Sequence, residues 1–251
     1  MSRKKAERQA SIVRLIAENR KSEVSLLAEQ LQVSQVTIRK DLDELENKGV
    51  IKRTHGFAVI NDSDDISSRL VFHYDEKRKI ALKASDMIKD GDTVMIESGS
   101  CCALLAAVLA EQNKTITIIT NSVFIAEYLR SSQTIDIILL GGAYQKYSQC
   151  LVGPSIRENA ENYHVRYLFA GADGFSASTG FTNKDSLRAQ AVRDMSRCCD
   201  EAVILTESEK FSANGINPMN LKCQKIMVIT DSNITEEAKQ ELSSQNIIAI
   251  Y

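Results

Sequence analysis

The sequence predicts an α/β protein in two parts, with a small helical unit at the N-terminus and a larger unit built on a mostly parallel β-sheet. Its 251 residues are more than one compact domain usually needs. Residues 1–60 carry a net charge of +4, which leaves −6 on the remainder of a chain whose total is −2. From residue 75 onward, short apolar runs alternate with helical patterns, which is typical of a sheet covered by helices on both faces.

The composition excludes several classes of protein. Hydrophobic residues make up 43% and charged residues 25%, as in folded globular chains, and no run approaches the roughly 18 apolar residues of a membrane span. The first five residues open a charged helical pattern instead of a signal-peptide core, so we expect a cytoplasmic protein. The six cysteines form no Cys-x-x-Cys motif, so we expect buried thiols and predict neither a metal site nor a cofactor.

Three helices are predicted between residues 5 and 49. The second can start at Ser25 and the third at Ser34, because a serine hydroxyl caps the free amides of a helix N-terminus. Gly49 ends the third helix. In the first and third helices, apolar residues recur at three- and four-residue spacing, which marks a buried face. These buried stripes are Ile12, Leu15 and Ile16, and Ile38, Leu42 and Leu45.

Two short strands are predicted after the helices. Residues 50–60 are rich in apolar and β-branched residues and are expected to turn near Gly56, which makes a β-wing. Residues 61–65 are polar and acidic and have no periodicity, so they mark a boundary. The predicted parts are an N-terminal domain (1–60), a linker (61–74) and a second domain (75–251).

The predicted strands of the second domain are seven apolar runs. Helical patterns such as residues 77–87 and 103–110 lie between the first of them. In sheets of this kind, ligands bind beyond the carboxyl ends of the strands. The runs are residues 93–96, 115–120, 135–140, 165–170, 202–205, 226–229 and 247–251.

The third helix has the pattern of a helix that reads DNA. Two short helices joined by a tight turn can place the second helix in the major groove. With Ile38 at the centre of the buried face, a rotation of about 100° per residue turns the neighbouring polar positions outward. The candidate DNA-contacting residues are Ser34, Gln35, Val36, Thr37, Arg39, Lys40 and Arg53.

These side chains suit different parts of a DNA duplex. Gln35 and Arg39 can form bidentate hydrogen bonds to adenine and guanine edges, and Thr37 can contact a thymine methyl group. Lys40 and Arg53 are better suited to phosphates. Spacing alone leaves one alternative open, a three-helix packing module whose charges are only solvated.

The same residues carry a specific resemblance. It rests on Val33-Ser34-x-x-Thr37-Ile38-Arg39-x-Asp41-Leu42 and on Leu45-Glu46-x-x-Gly49-x-x-x-Arg53-x-His55-Gly56. Both resemble the winged helix-turn-helix of DeoR-type bacterial transcription regulators. The resemblance adds His55 to the candidate DNA-contacting residues. The family usually has His-Gly-Gly-Ala at the wing, whereas Phe57 stands here in place of the second, flexible glycine.

Three loops of the second domain follow apolar runs and carry small or polar residues: 97–101, 120–122 and 141–142. The first contains Gly99 and opens onto a predicted helix, so its backbone amides can hold a phosphate, with Ser100 adding a hydroxyl. A cation from Lys210 can reach the same sheet edge. Ordinary strand-to-helix turns and a solvated lysine are the alternatives that spacing leaves open.

Residues 77–230 resemble the DeoR-type C-terminal sensor domain. That domain is related to ribose-5-phosphate isomerase and CoA-transferase folds and typically binds a phosphorylated sugar. The resemblance implies that the first loop holds the phosphate and that later loops lie near the sugar. The implied effector-binding residues are Gly99, Ser100 and Cys101 at the phosphate, Asn121, Asp173 and Lys210 near the sugar, and Gly141, Gly142 and Arg188.

Positions 97, 101 and 188 are among those that depart from the sensor pattern. Glu97 replaces the usual Asp, and Cys101 replaces a Thr, which exchanges a hydroxyl for a weakly donating thiol. Arg188 stands where the family usually has Glu. If it lines the pocket, we expect it to favour a more anionic effector through charge-assisted pairing. An exposed arginine on a surface helix is the alternative.

Together these features predict a sequence-specific transcription regulator that is not an enzyme. We expect a repressor that binds a double-stranded DNA operator as a dimer or tetramer, because one recognition helix covers too few base pairs, and that responds to a sugar phosphate or related anionic metabolite. Two alternatives stay open. An isomerase would use Asp173 and Lys210 but needs a carboxylate over the substrate carbon. A redox sensor would use Cys101, with its pKa lowered at a helix N-terminus.

Overall fold

The computed structural model describes residues 3–19, 21–47, 50–54, 57–60, 64–213 and 215–251. The chain divides into two compact units, residues 1–74 and residues 75–251. Each unit has a buried apolar core of its own and is described by itself. Within the described ranges, no helix has the length and apolar character needed to cross a bilayer.

The first unit combines helices with a small antiparallel sheet in the order β1-β3-β2. Strands β2 and β3 pair from Ile51 opposite Ile60 to Thr54 opposite Phe57, which forms the predicted wing. The predicted turn at Gly56 and helix end at Gly49 lie outside the described residues. The elements are α1 (Arg3–Asn19), β1 (Ser22–Glu23), α2 (Val24–Gln30), α3 (Gln35–Asn47), β2 (Ile51–Thr54), β3 (Phe57–Ile60) and α4 (Ile66–Val71).

The apolar stripes predicted for α1 and α3 form the core of this unit. All of their residues are buried except Leu15, which is partly buried and packs against the others. The α4 helix lies within residues 61–74, the segment predicted as a linker. The fully buried residues of the two stripes are Ile12, Ile16, Ile38, Leu42 and Leu45.

The second helix does not start at Ser25 as predicted. Val24 is its first residue and Glu23 its N-cap, and the helix has no side-chain cap. The Ser25 hydroxyl instead donates to Oε2 of Glu23 at 3.2 Å. The start is set by the strand before it, because Ser22 and Glu23 pair with β3 and keep the chain extended up to that point.

The second unit is built on a seven-stranded sheet in the order β15-β14-β12-β9-β4-β5-β6. All of its strand pairs are parallel, which confirms the predicted sheet. The elements are α5 (Tyr74–Ser85), β4 (Thr93–Ile96), α6 (Ser100–Glu111), β5 (Ile116–Thr120), α7 (Val123–Leu129), β6 (Ile135–Leu139), β7 (Ala143–Gln145), β8 (Cys150–Val152), α8 (Ser155–Ala160), β9 (Val165–Gly171), β10 (Gly174–Ser176), β11 (Gly180–Asn183), α9 (Ser186–Met195), β12 (Cys199–Leu205), β13 (Asn217–Pro218), β14 (Lys225–Ile229), α10 (Glu236–Ser244) and β15 (Ile248–Ile250).

The strand order reverses direction between β4 and β9. The chain adds β5 and β6 on one side of β4, and then β9, β12, β14 and β15 on the other. The loops that follow β4 and β9 therefore leave the sheet at its topological switch point, where open α/β sheets form a ligand crevice.

Several short strands were not predicted. The β7 and β8 strands pair as an antiparallel hairpin, and β10, β11 and β13 form a second small sheet. Each has two to four residues, and they lie in segments rich in glycine and polar residues, so no apolar run marks them.

Candidate functional site

Ser34 caps α3, as predicted. Its hydroxyl oxygen accepts a hydrogen bond from the Thr37 amide at 3.1 Å and lies 2.9 Å from the Thr37 hydroxyl. This bond fixes the first turn of the helix, which is the part that would enter a DNA groove first.

The outward face of α3 is open to solvent. Gln35, Val36, Arg39 and Lys40 are exposed, and Val36 keeps 59% of its surface accessible. Ile38 between them is fully buried. The side chains thus point where a rotation of about 100° per residue places them.

Asp41 holds the inner side of α3 to α1. It is 1% exposed and accepts hydrogen bonds from Nε of Arg8 at 2.5 Å and from Nε2 of Gln9 at 3.3 Å. A buried carboxylate with these partners fixes the helix at one angle to its neighbour. Sequence reasoning gave Asp41 no role, although its position three residues after Ile38 places a charge close to the buried face.

Arg53 is bound to α3 from the wing. Its guanidinium pairs with Asp43 at 2.8 Å and donates to the backbone carbonyl of Arg39 at 2.9 Å. The Arg53 amide also donates to Glu46 at 3.0 Å. These bonds tie β2 to the recognition helix, while a third of the Arg53 side chain remains exposed. His55 lies outside the described residues.

Phe57 has a contact of its own in the wing. The Lys21 ammonium lies 4.7 Å from the centre of the Phe57 ring, a cation–π contact that a glycine could not make. The departure from the family's wing glycine therefore connects β3 to the segment before β1.

In the second unit, the Glu97 carboxylate joins the loops that follow β4 and β9, which meet at the switch point. It follows β4, is 2% exposed, and its Oε2 accepts from the amides of Gly99 at 2.8 Å and Gly171 at 3.2 Å. Oε1 accepts from the Ser98 hydroxyl at 2.7 Å. A Cβ on Gly99 would lie 3.1 Å from the Gly171 Cα, so the two loops approach closely enough to favour glycine.

The first loop is therefore partly engaged with the protein itself. The Gly99 amide, which was predicted to hold a phosphate, donates to Glu97. Gly99 is the N-cap of α6, and Ser100 begins the helix and is partly exposed. Ser100 is the residue of this loop that lies partly toward solvent, because Cys101, Cys102 and Ala103 after it are buried.

Cys101 faces the interior. Its thiol donates to Oε2 of Glu207 at 3.7 Å, and Oε1 of Glu207 pairs with the Lys77 ammonium at 3.1 Å. Burial and the Glu207 carboxylate raise the pKa of Cys101 well above its ordinary value. The redox alternative needed a lowered pKa at this thiol, so it is wrong for Cys101.

Asp173 and Lys210 lie near Glu207. Oδ2 of Asp173 accepts from the Lys184 amide at 2.9 Å, and the Lys210 ammonium donates to Glu209 at 2.9 Å. Burial alone would lower the pKa of Lys210, but the Glu209 hydrogen bond and the charges of Glu207 and Asp173 raise it overall. We call Lys77, Cys101, Asp173, Glu207 and Lys210 the Glu207 cluster.

A second set of polar residues connects the β4 loop to the start of α9. The Ser148 hydroxyl donates to Gln145 at 2.9 Å, and Nε2 of Gln145 donates to Asp185 at 3.1 Å. Asp185 caps α9 by accepting from the Arg188 amide at 2.9 Å. We call this set the Glu97 cluster. Its members are Glu97, Ser98, Gln145, Ser148, Cys150, Asp185 and Arg188.

Arg188 is 1% exposed, so it is not the surface arginine of the alternative. Burial alone would raise the pKa of Asp185, but hydrogen bonds from the Arg188 amide and Gln145, with the Arg188 charge, lower it overall. Cys150 lies among the same groups, since Ser98, Ser148, Glu97 and Arg188 all act on its thiol. Of this set, the sequence analysis named Arg188 as a candidate effector-binding residue and Glu97 as a departure from the family's pattern. It named none of the other five residues.

The remaining predicted positions lie by the β7–β8 hairpin. Asn121 is fully buried, and its Nδ2 donates to the Leu151 carbonyl at 3.0 Å, while its Oδ1 has no hydrogen-bond partner among the described residues. The Gly141 amide donates to Asn159, and a Cβ on Gly142 would lie 2.6 Å from the Val152 carbonyl. Both glycines shape the hairpin.

No group of His, Cys, Asp and Glu side chains within the described ranges is arranged to hold a metal ion. A cleft of about 500 Å³ opens between α8 and α9. Its charged lining is mostly acidic, so it does not suit an anion. The charged members of this lining are Arg157, Glu158, Glu161 and Asp194.

Family models match both units. Residues 8–64 match the DeoR-like helix-turn-helix domain, and residues 72–232 match the DeoR C-terminal sensor domain. The chain belongs to the DeoR family of transcriptional regulators. The resemblance drawn from the sequence motifs is thereby confirmed, as is the α/β fold class.

Relatives within the DeoR family extend over nearly the whole chain. The HTH-type transcriptional regulator GolR of Listeria innocua is 30% identical over 92% of each chain. The L-fucose operon activator of Escherichia coli is 30% identical over 84% of this chain and 88% of its own. The transcriptional repressor AccR of Agrobacterium fabrum is 27% identical over 97% of each chain. These are regulators, so the chain is grouped with regulators and not with enzymes.

A solved ribose 5-phosphate isomerase from Methanocaldococcus jannaschii overlaps 55% of this DeoR-family chain and 55% of its own, with 21% identity and a TM-score of 0.41.

Proposed function

We propose that this chain is a transcriptional repressor that releases its DNA operator when a sugar phosphate or related anionic metabolite binds the second unit. The observation that carries the DNA-binding part is the outward face of α3, whose polar and apolar side chains are exposed on a helix held by Ser34 and Asp41. Exposed side chains on a helix that is fixed beneath are what base reading requires.

The roles on DNA follow from the side chains. Gln35 and Arg39 read base edges, and Val36 and Thr37 contact thymine methyl groups. Lys40 contacts phosphate, and Arg53 combines its bonds to α3 with a phosphate contact from its exposed part. Ser34 and His55 complete the DNA-contacting set.

The effector is proposed to bind beyond the carboxyl ends of β4 and β9. Arg188 supports an anionic ligand, because it brings a buried positive charge to the Glu97 cluster. Ser100 at the start of α6 offers a hydroxyl, and Lys210 offers a charged ammonium from the Glu207 cluster. Gly99, Cys101, Asn121, Gly141, Gly142 and Asp173 shape the surrounding loops.

Operator specificity is proposed to need a dimer or tetramer that spans paired half-sites. Effector binding would change operator affinity only by as much as it favours one arrangement of the DNA-binding units over another. The DeoR-family relatives include a repressor and an activator by name, and we favour repression. A bacterial regulator of this kind acts in the cytoplasm, where the DNA is.

The test begins with genomic footprinting of the full chain to obtain its operator. Mobility-shift titrations then compare the unaltered chain with Gln35→Ala and Arg39→Ala. Each lost base contact should weaken operator binding by about 1–3 kcal/mol, on the order of tenfold to a hundredfold, with little change on unrelated DNA. Arg130→Ala is the control, because Arg130 follows the end of α7 in the other unit and its side chain is 74% exposed. If both folded variants bind the operator as tightly as the control, the proposal is wrong.

A further inference from the structure

Cys199 is the first residue of β12, and Cys223 lies two residues before the neighbouring strand β14. In the parallel pair of β12 and β14, Glu201 is opposite Lys225, and the Gln224 amide donates to the Asp200 carbonyl at 3.0 Å just before the strand pair. Continued two residues beyond the start of β14, this register brings Cys223 beside Cys199, and the two thiols interact. Neighbouring strands are about 4.7–4.9 Å apart, and a disulfide needs Cα atoms about 4.4–6.8 Å apart.

The two thiols differ in exposure. Cys199 is 4% exposed, and its sulfur lies 3.6 Å from the Ser196 carbonyl oxygen. Cys223 is only partly buried, and as a thiol it donates to the Lys225 carbonyl at 3.3 Å. A small oxidant can therefore reach Cys223 before Cys199.

The two thiols also differ in acidity. A hydrogen bond from Cys199, together with backbone amides that include Ala202 and Lys225, lowers the pKa of Cys223 to about 7. The same hydrogen bond and burial raise the pKa of Cys199. A thiolate is the nucleophilic form of cysteine, so Cys223 is the attacking sulfur and Cys199 holds the proton. The charged groups around them are Lys222, Lys225 and Glu201, the last two paired at 3.1 Å, and Asp200, which bonds His164.

The other four cysteines lack these features. Burial raises the pKa of Cys101, Cys150 and Cys198, and Cys102 is fully buried in α6. Cys223 is the cysteine of this chain with both an accessible sulfur and a lowered pKa.

We propose that Cys223 and Cys199 form a reversible modification site, in which a hydroperoxide oxidises Cys223 and Cys199 closes a disulfide. The Cys223 thiolate attacks one peroxide oxygen, so that an S–O bond forms, the O–O bond breaks, and the departing oxygen leaves as water or an alcohol after taking a proton. The Cys199 sulfur then attacks the sulfenic sulfur, the S–O bond breaks, and water leaves with the Cys199 proton. Two thiols and one hydroperoxide become one disulfide, one alcohol or water, and one further water.

This site is separate from the proposed effector site. Cys199 begins β12 and Cys223 precedes β14, so both lie at the amino-terminal edge of the sheet, whereas Glu97 and Glu207 follow the carboxyl ends of β4 and β12. The proposal therefore stands or falls independently of the effector.

The first test is alkylation of the native full chain with iodoacetamide, followed by peptide mass mapping. Cys223 should react fastest of the six cysteines, with a rate that rises through about pH 7. Equal or slower labelling of Cys223 than of Cys101 or Cys198 would overturn the proposal. This measurement needs no variant, so it does not depend on whether a substituted chain folds.

The second test treats the full chain with stoichiometric hydrogen peroxide. The expected product is a monomer lighter by two hydrogen atoms, with Cys199 and Cys223 in one cross-linked peptide that dithiothreitol separates. The product should persist in Cys198→Ser, the matched control from the neighbouring position. Cys199→Ser should instead stop at the sulfenic acid on Cys223, which dimedone captures. A different pairing, a disulfide between chains, or oxidation elsewhere before Cys223 would refute the site.

Discussion

The hydrogen bonds of Glu97 should contribute most to holding the loops after β4 and β9 together. It accepts hydrogen bonds from the Gly99 and Gly171 amides and from the Ser98 hydroxyl, and it is almost fully buried. In Glu97→Ala both amides lose their acceptor, and each unsatisfied buried donor costs about 1–3 kcal/mol. We therefore expect the free energy of unfolding to fall by about 2–6 kcal/mol, and amide exchange at Gly99 and Gly171 to accelerate.

Glu97→Gln keeps a hydrogen-bond acceptor at this position but removes the negative charge. The glutamine oxygen can accept from both amides while its NH₂ group faces the Ser98 hydroxyl, so only the charge assistance is lost, about 1–2 kcal/mol. Urea unfolding and hydrogen exchange on the full chain measure both variants, with Asp136→Ala on the exposed part of β6 as the control. Equal losses in the Ala and Gln variants, or rapid exchange at Gly99 and Gly171 in the unaltered chain, would refute this account.

Three further predictions concern other parts of the chain. Asp41→Ala should lower the stability of the first unit by about 1.5–3 kcal/mol in urea unfolding, whereas Asp43→Ala, in an exposed pair, should cost less than about 1 kcal/mol; equal costs would contradict the role given to Asp41. Burial alone would raise the pKa of Asp231, but hydrogen bonds from Ser208 lower it overall. The ionised carboxylate therefore stabilises the fold above about pH 4, and this stabilisation is lost as the pH falls through the folded pKa. Asp231→Asn should therefore lose less stability than the unaltered chain as the pH falls below about 4, and an unchanged pH profile would contradict this. Arg188→Met should weaken sugar phosphate binding in calorimetry by about tenfold or more relative to Arg188→Lys, which keeps the charge; equal affinities would remove Arg188 from the effector site.

The elements that could be predicted are those with a local signature. All seven strands of the large sheet have apolar runs, and α1 and α3 have helical periodicity, so a pattern within each segment is enough to predict them. The hairpin of β7 and β8 has no such run, because its strands are three residues long and its tyrosines, Tyr144 and Tyr147, point to solvent.

The outward face of α3 could be predicted for the same reason, since helical geometry fixes it from Ile38 alone. The arrangement of the proposed effector site could not be predicted, because its contacts join residues that are far apart in the chain. Glu97 bonds Gly171 across 74 positions and Cys101 bonds Glu207 across 106. A loop motif shows which residues are near each other in sequence. It does not show which carboxylate accepts the hydrogen bonds of the loop's amides.

Two of the departures from the family's sensor pattern, Glu97 and Arg188, lie around the same buried thiol, that of Cys150. Burial raises the pKa of Cys150 most, and beyond that Glu97 raises it and Arg188 lowers it, so the two charges act on the same buried thiol with opposite signs. An acidic residue at position 188 would have placed a further carboxylate among these groups without a compensating cation, which is costly in a buried site. Glu97 joins the loops at the switch point and brings negative charge to it, and Arg188 offsets that charge from α9. Removing the Arg188 charge should therefore disfavour an anionic effector at this edge of the sheet, whereas removing the Glu97 charge in Glu97→Gln should not, and calorimetry with sugar phosphates on both variants measures the difference.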